Sequence, residues 1–203
     1  MSKNFVRPFL AALVGAGVLG LSFGAFAASA TDDSGELTYI NCQAGFGIIF
    51  PAAPATRDIR YTTNTARTVP ARQIYLQRGQ DLLQVTVARF DYGPAVNEPA
   101  MDHAAAALKA RGEVKYEAAG DYDPGYPARQ LSMAIPDGRQ LRASVFMMEH
   151  KLYIIEALAA PGDVEAIQFE QSITMVNEMG IDYDQNPPDP IHKLNCRSDF
   201  FRR

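Results

Sequence analysis

The sequence predicts an α+β domain in which an antiparallel β-sheet is flanked by helices. Three observations predict it. Between Tyr126 and Ala159, three strand-like segments follow one another with only short turns between them. Two helical stripes, one after Asn97 and one after Asp163, lie on either side of those segments in the chain. Strands and helices segregated in this way, rather than alternating as βαβ units, suit a layered α+β domain. The chain has 203 residues, 47% of them hydrophobic, enough for one domain to bury a core without many cross-links.

The first segment reads as an export signal. Met1–Arg7 carries Lys3 and Arg7 but no acid, Pro8–Ala30 is uncharged, and Phe9–Phe23 supplies the apolar stretch. Two small-x-small sites follow, Ala25-Phe26-Ala27 and Ala28-Ser29-Ala30. This charged, apolar, small-residue order is that of a secretory signal, with cleavage after Ala27 and Ala30 as the second choice. The alternative is an uncleaved anchor, since about 20 apolar residues span a bilayer. Gly15, Gly17, Gly20 and Gly24 lower the apolar content, and adjacent cleavage sites favour removal. No other stretch has the length to span a membrane, and no Cys follows the apolar run to take a lipid. Gly15–Gly20 matches the spacing of a dinucleotide-binding turn but has no strand before it. Gly20–Gly24 matches a helix-dimer motif, relevant only to a retained span. The expected organisation is a signal peptide at 1–27, a linker at 28–37, the α+β domain at 38–180 and an extended tail at 181–203. The expected location is periplasmic or secreted, with no stable membrane span after cleavage.

Cys42 and Cys196 are the two cysteines, one near each end of the exported part. In an oxidising compartment such a pair reads as a disulfide tying the tail back. It would be worth roughly 5 kcal/mol on the chain-entropy account of a loop this long; the other reading is two free or intermolecular thiols. The formal charge is −4, and loss of Lys3 and Arg7 makes the remainder more acidic. Phosphate backbones attract Lys and Arg and repel an acidic surface, so nucleic acid is not an expected partner.

Along the domain, Phe46–Phe50 ends at Pro51 as a first strand, and a second is expected at Asp58–Thr63. Arg72–Gln77 and Leu82–Phe90 flank Arg78-Gly79-Gln80-Asp81, a hairpin signal. Leu83, Val85 and Val87 alternate with Gln84, Thr86 and Ala88, which puts one apolar face on a core. A helix then starts with Asn97 or Glu98 as its cap and Pro99 in its first turn, and Gly112 is expected as a left-handed stop. Met101, Ala104, Ala105 and Leu108 form its stripe. Tyr126–Ile135 and Arg139–Met148 are joined by Pro136-Asp137-Gly138, a tight-turn sequence, and Lys151–Ala159 follows the Glu149-His150 corner. Both faces of these strands are apolar, as expected of a sheet covered on each side. Asp163 caps a last helix whose stripe of Ala166, Phe169, Ile173 and Val176 runs to a stop at Gly180.

From Phe46 onward this order resembles the PsbP/Mog1-like family of α/β/α sandwiches, which includes bacterial envelope members. The resemblance rests on the aromatic strand ending in Pro51, the Gly125-Tyr126-Pro127-Ala128-Arg129 junction, and Lys151-Leu152-Tyr153-Ile154-Ile155 followed by a helix with Phe169-Glu170-Gln171-Ser172-Ile173. It implies a fold rather than an activity, and it favours an accessory or binding protein over an enzyme.

The search for chemistry finds no catalytic motif, so no catalytic residue, metal ligand or cofactor is assigned. His103, His150 and His192 lack His-x-x-x-His spacing, and Ser132, Ser144 and Ser172 lie outside any Gly-x-Ser-x-Gly elbow. Asp121-Tyr122-Asp123 and Asp182-Tyr183-Asp184-Gln185-Asn186 suggest calcium loops. The second fails because Pro187 replaces the turn glycine and Lys193 the final glutamate. Arg57, Arg60, Arg67, Arg72 and Arg78 form the one charge asymmetry, a candidate anion- or partner-binding face; solvated protection of an edge strand is the competing reading. The expected function is an exported accessory protein that binds a small ligand or an envelope protein. The alternatives are an envelope hydrolase with a site built from sequence-distant residues and a structural module of a membrane complex.

Overall fold

In the computed structural model, the residues described are 37–90, 97–123 and 126–177. The expected signal segment, Cys196, His192, the second acidic cluster, Gly180 and the tail all lie outside them.

The elements, in chain order, are β1 (Leu37–Asn41), β2 (Phe46–Phe50), β3 (Ala55–Thr62), β4 (Thr68–Arg78), β5 (Asp81–Arg89), α1 (Asn97–Lys109), β6 (Glu113–Asp123), β7 (Tyr126–Ala134), β8 (Gln140–Met148), β9 (Lys151–Ala159), α2 (Val164–Gln171) and β10 (Thr174–Met175). A seven-stranded sheet has the order β3-β4-β5-β9-β8-β7-β6, and a small sheet the order β1-β2-β10. Every pairing is antiparallel. The molecule is thus mostly antiparallel sheet with two helices, more strand-rich than the sequence suggests.

Register decides which residues share a face. Val85 pairs with Ile155, Ile155 with Ser144, and Ser144 with Gln130, so these point the same way. Thr86 pairs with Ile154, Ile154 with Val145, and Val145 with Arg129, so these point the other way. The first face meets α2 and the small sheet: Phe50 packs on Phe169 with ring centroids 4.8 Å apart, and Tyr153 lies edge-on to Phe46. The second face meets α1, whose Arg111, Lys109 and Asp102 pair with Glu156, Glu117 and Arg129. Central β9 is accordingly buried from Leu152 to Ala159, as a strand covered on both faces must be.

Two hydroxyls tie the small sheet's surroundings to the large one. Tyr153 donates to Ala44 O at 2.6 Å and Tyr122 to Ile173 O at 2.6 Å. Between them, Tyr122, Phe146 and Tyr153 stack in series, with centroids 4.3 and 5.0 Å apart.

Several boundaries differ from the sequence reading. Leu37–Asn41, for which no strand was expected, pairs with β2 as a full strand. β6, an eleven-residue edge strand, was not expected, although Val114, Tyr116, Ala118 and Tyr122 alternate with Lys115, Glu117, Asp121 and Asp123; Val114 and Tyr116 stand exposed on it. The last helix stops at Gln171 instead of running to Gly180. Ser172 ends it, its N–H and Oγ both donating to Phe169 O while Oγ accepts from Ile49 N at 3.0 Å. Ile173 and Val176 therefore belong to the stretch around β10 rather than to a helical stripe. The Asp163 cap is as expected, accepting from Ala166 N at 2.8 Å.

Gly112 also has a different role. It has no left-handed φ; a Cβ there would collide with Ala134 O and lie 3.0 Å from Ile135 Cδ1. Absence of a side chain lets the end of α1 pass over β7. Gly112→Ala is expected to cost about 1–3 kcal/mol by overpacking, read from urea unfolding midpoints. Gly120→Ala, where a Cβ meets nothing within 4 Å, is the matched control and should stay within about 0.5 kcal/mol of wild type.

Candidate functional site

A groove of about 210 Å³ opens on the second face of the large sheet, between α1 and strands β3 and β4. Ile59, Tyr61, Ala104, Ala107, Leu108 and Ile154 form its apolar walls; Gln73, Thr86, Glu156 and Arg111 are its polar part. The α1 contribution follows from helical spacing, since Ala104, Leu108 and Arg111 recur at three- and four-residue steps. Positions 84, 86 and 156 come from neighbouring strands and share one face by the β5–β9 register.

The polar part is one connected chain of bonds. Arg57 Nε donates to Gln73 Oε1 at 2.6 Å, and Gln73 Nε2 donates to Thr86 Oγ1 at 3.2 Å. Gln84 Nε2 donates to Glu156 Oε1 at 3.0 Å and lies 3.5 Å from Thr86 Oγ1. Arg111 Nη1 closes the chain on Glu156 Oε2. Gln84, Thr86 and Glu156 are 5%, 3% and 7% exposed, so these bonds replace lost water, as buried polar groups require.

Above this floor Tyr61 is edge-on to His103 at 6.4 Å and tilted against Phe90 at 6.3 Å. Burial of its ring pushes the phenol up to about 12, so its O–H stays protonated across the physiological range. His103 Nε2 lies 3.2 Å from Thr62 O, which fixes the ring beside the groove wall.

A second buried carboxylate lies on the opposite face. Glu170 of α2 is 3% exposed and accepts from Gln130 Nε2 at 3.1 Å, Arg142 Nη2 at 3.1 Å and the Ser144 hydroxyl. Ser144 is thus bound to a carboxylate and not set against an imidazole base. This cluster docks α2 on β7 and β8.

The arginine run is divided by the fold. Arg57 lies with Gln73 and Tyr75 on the groove face, its guanidinium 4.8 Å from the Tyr75 ring centroid. Arg72 faces the other way, bonded to Asp58 at 2.6 Å, and that hydrogen bond holds the Asp58 carboxyl below its usual range. Arg60 reaches Thr68 O and Oγ1, Arg78 pairs with Glu165 of α2, and Arg67 lies in the β3–β4 turn. Among the described residues no three His, Cys, Asp or Glu gather as metal ligands, and no helix is long and apolar enough to cross a membrane. The Asp121-Tyr122-Asp123 cluster falls at the end of β6, with Tyr122 turned into the aromatic stack.

Sequence reasoning missed Gln73, Gln84, Thr86, Glu156 and Arg111. The available signal was Glu156, an acid inside the otherwise apolar strand Lys151–Ala159. Burial of the polar face of β5 was the second clue, visible only once α1 is placed over it.

No family model matches the chain, and no curated protein matches it. Among solved structures it is similar to the solution structure of PsbP from the cyanobacterium Synechocystis sp. PCC 6803. The identity is 16% and the TM-score 0.47, over 74% of this chain and 98% of that one. The likeness is distant and one of fold.

Two outcomes are expected. Glu156→Leu leaves Gln84 and Arg111 without their acceptor and should cost about 3 kcal/mol, the low end for a broken buried pair because Arg111 is partly in water. Adding Arg111→Leu should recover part of that loss, giving a measurable coupling in a double-mutant cycle. The raised Tyr61 means that the folded state holds a proton the unfolded chain releases near pH 10. Stability from this group is complete below that pH and disappears between about 10 and 12. The ultraviolet difference titration of wild type against Tyr61→Phe should show one phenol ionising near 12.

Proposed function

We propose that this is an exported, periplasmic ligand-binding protein whose site is the groove between α1 and the β3–β4 strands. One observation carries the reading: a polar floor of Gln73, Thr86, Glu156 and Arg111, linked through the buried Gln84, lies beneath apolar walls. A sheet face covered by a helix needs only apolar residues for stability, and each buried polar group costs free energy unless bonded. Convergent polar side chains in a concave apolar pocket are the usual make-up of a small-molecule site.

The remaining parts of the proposal concern the chain's context. Residues 1–27 act as a cleaved signal, and Cys42, buried at 5% exposure beside the β1–β2 turn, is bridged to Cys196. That bridge would fasten the tail to the small sheet. With α1 on one face of the large sheet and α2 with the small sheet on the other, the layered arrangement is read as an α/β/α sandwich of PsbP/Mog1-like type.

Native mass spectrometry of the protein purified from the envelope fraction tests these points together. The expected species begins at Ala28, gains two hydrogens on reduction and carries a small bound molecule. Ala107→Phe, which fills the groove from the exposed side of α1, should be recovered without that molecule. An equal ligand load on Ala107→Phe would move the site elsewhere; an intact Met1 would remove the export reading.

A further inference from the structure

We propose that the groove takes an uncharged molecule about the size of one substituted ring, whose hydrogen-bonding head is read by Thr86. This rests on the groove being the ligand site. Size comes first: the cavity is about 210 Å³, and a 150 Å³ apolar cavity in another protein accommodates benzene. A ring bearing one small polar head fills it; a drug-sized ligand, which needs at least about 300 Å³, does not.

Charge comes second. The floor holds one cation and one anion, Arg111 and Glu156, and they are bonded to each other. An anionic ligand would have to draw Arg111 from Glu156 and leave that buried carboxylate without its charge partner. A cationic ligand would find both Glu156 oxygens already bonded, to Gln84 and Arg111, and would meet the like charge of Arg111; a neutral ligand avoids both costs.

The third part is the bonding capacity left at the floor. Thr86 Oγ1 accepts from Gln73 Nε2 and faces Gln84 Nε2, and its own proton meets no acceptor among the described residues. Gln84 gives its amide N–H to Glu156. The floor therefore offers the groove one donor, the Thr86 hydroxyl. A neutral head with a carbonyl acceptor, such as a primary amide, matches it, while its ring lies along Ile59, Tyr61 and Leu108.

Benzamide, benzamidine and benzoate have nearly the same shape and carry charges of zero, plus one and minus one. Each is titrated into the purified protein while the backbone amide resonances of Tyr61, Thr86, Leu108 and Ile154 are followed. Benzamide is expected to bind at least tenfold tighter than either ion, and Thr86→Val to remove that preference. Tightest binding by benzamidine or benzoate, or equal binding by all three, overturns the neutral class while leaving the groove as a site. If no probe shifts these resonances at its solubility limit, the site itself falls. Ala107→Phe, which leaves the floor intact, should abolish all three responses; persistence of the shifts would also reject the groove.

Discussion

Glu156 sits in the middle of a strand buried on both faces, and the need to satisfy its carboxylate organises one whole side of the molecule. An unpaired carboxylate there would be neutralised or would unfold its surroundings. Arg111, one turn past the last residues of the α1 stripe, supplies the charge, and Gln84 of the adjacent strand supplies a neutral donor. The Arg111 bond ties the end of α1 to the sheet, alongside the buried Met101 and Leu108 of its apolar stripe. Gly112 then allows the chain to leave α1 directly over Ala134 and turn into β6.

The opposite side solves the same problem differently. Glu170 is brought by α2 to Gln130, Ser144 and Arg142, which stand on the sheet. One carboxylate belongs to the sheet and draws a helix to it; the other belongs to a helix and is drawn to the sheet. Each buried acid meets one arginine and at least one neutral donor, so each helix packs closely around a satisfied carboxylate.

Much of this was legible in the sequence where side-chain period alone decides structure. The β4–β5, β7–β8 and β8–β9 hairpins follow from alternation and from the turns between them, and the Asp163 cap from residue type. What escaped the sequence depended on partners far along the chain. β6 carries an alternation, Val114, Tyr116, Ala118 and Tyr122 against Lys115, Glu117, Asp121 and Asp123, but its high charge, suited to an edge strand that meets water, masks the signal. Ile173 and Val176 fall at helical spacing from Phe169, yet Ser172 bonds to Ile49 N and turns the chain into a strand. Gln84 and Thr86 look like a solvent face until α1 covers them. The five arginines form a cluster only in sequence; register sends Arg57 to one face and Arg72 to the other, each toward a different partner.

The order of the small sheet has a mechanical consequence. β1 and β10 lie on either side of β2 and both run opposite to it, so they are parallel to each other. The chain enters β1 opposite Phe50 and leaves β10 opposite Phe46, at the two ends of the same central strand. Tension applied between those points would slide the outer strands along β2, loading its hydrogen bonds together in shear instead of unzipping them singly. The large sheet and its groove lie outside that load path, so a pull between Leu37 and Met175 would be resisted by the small sheet first.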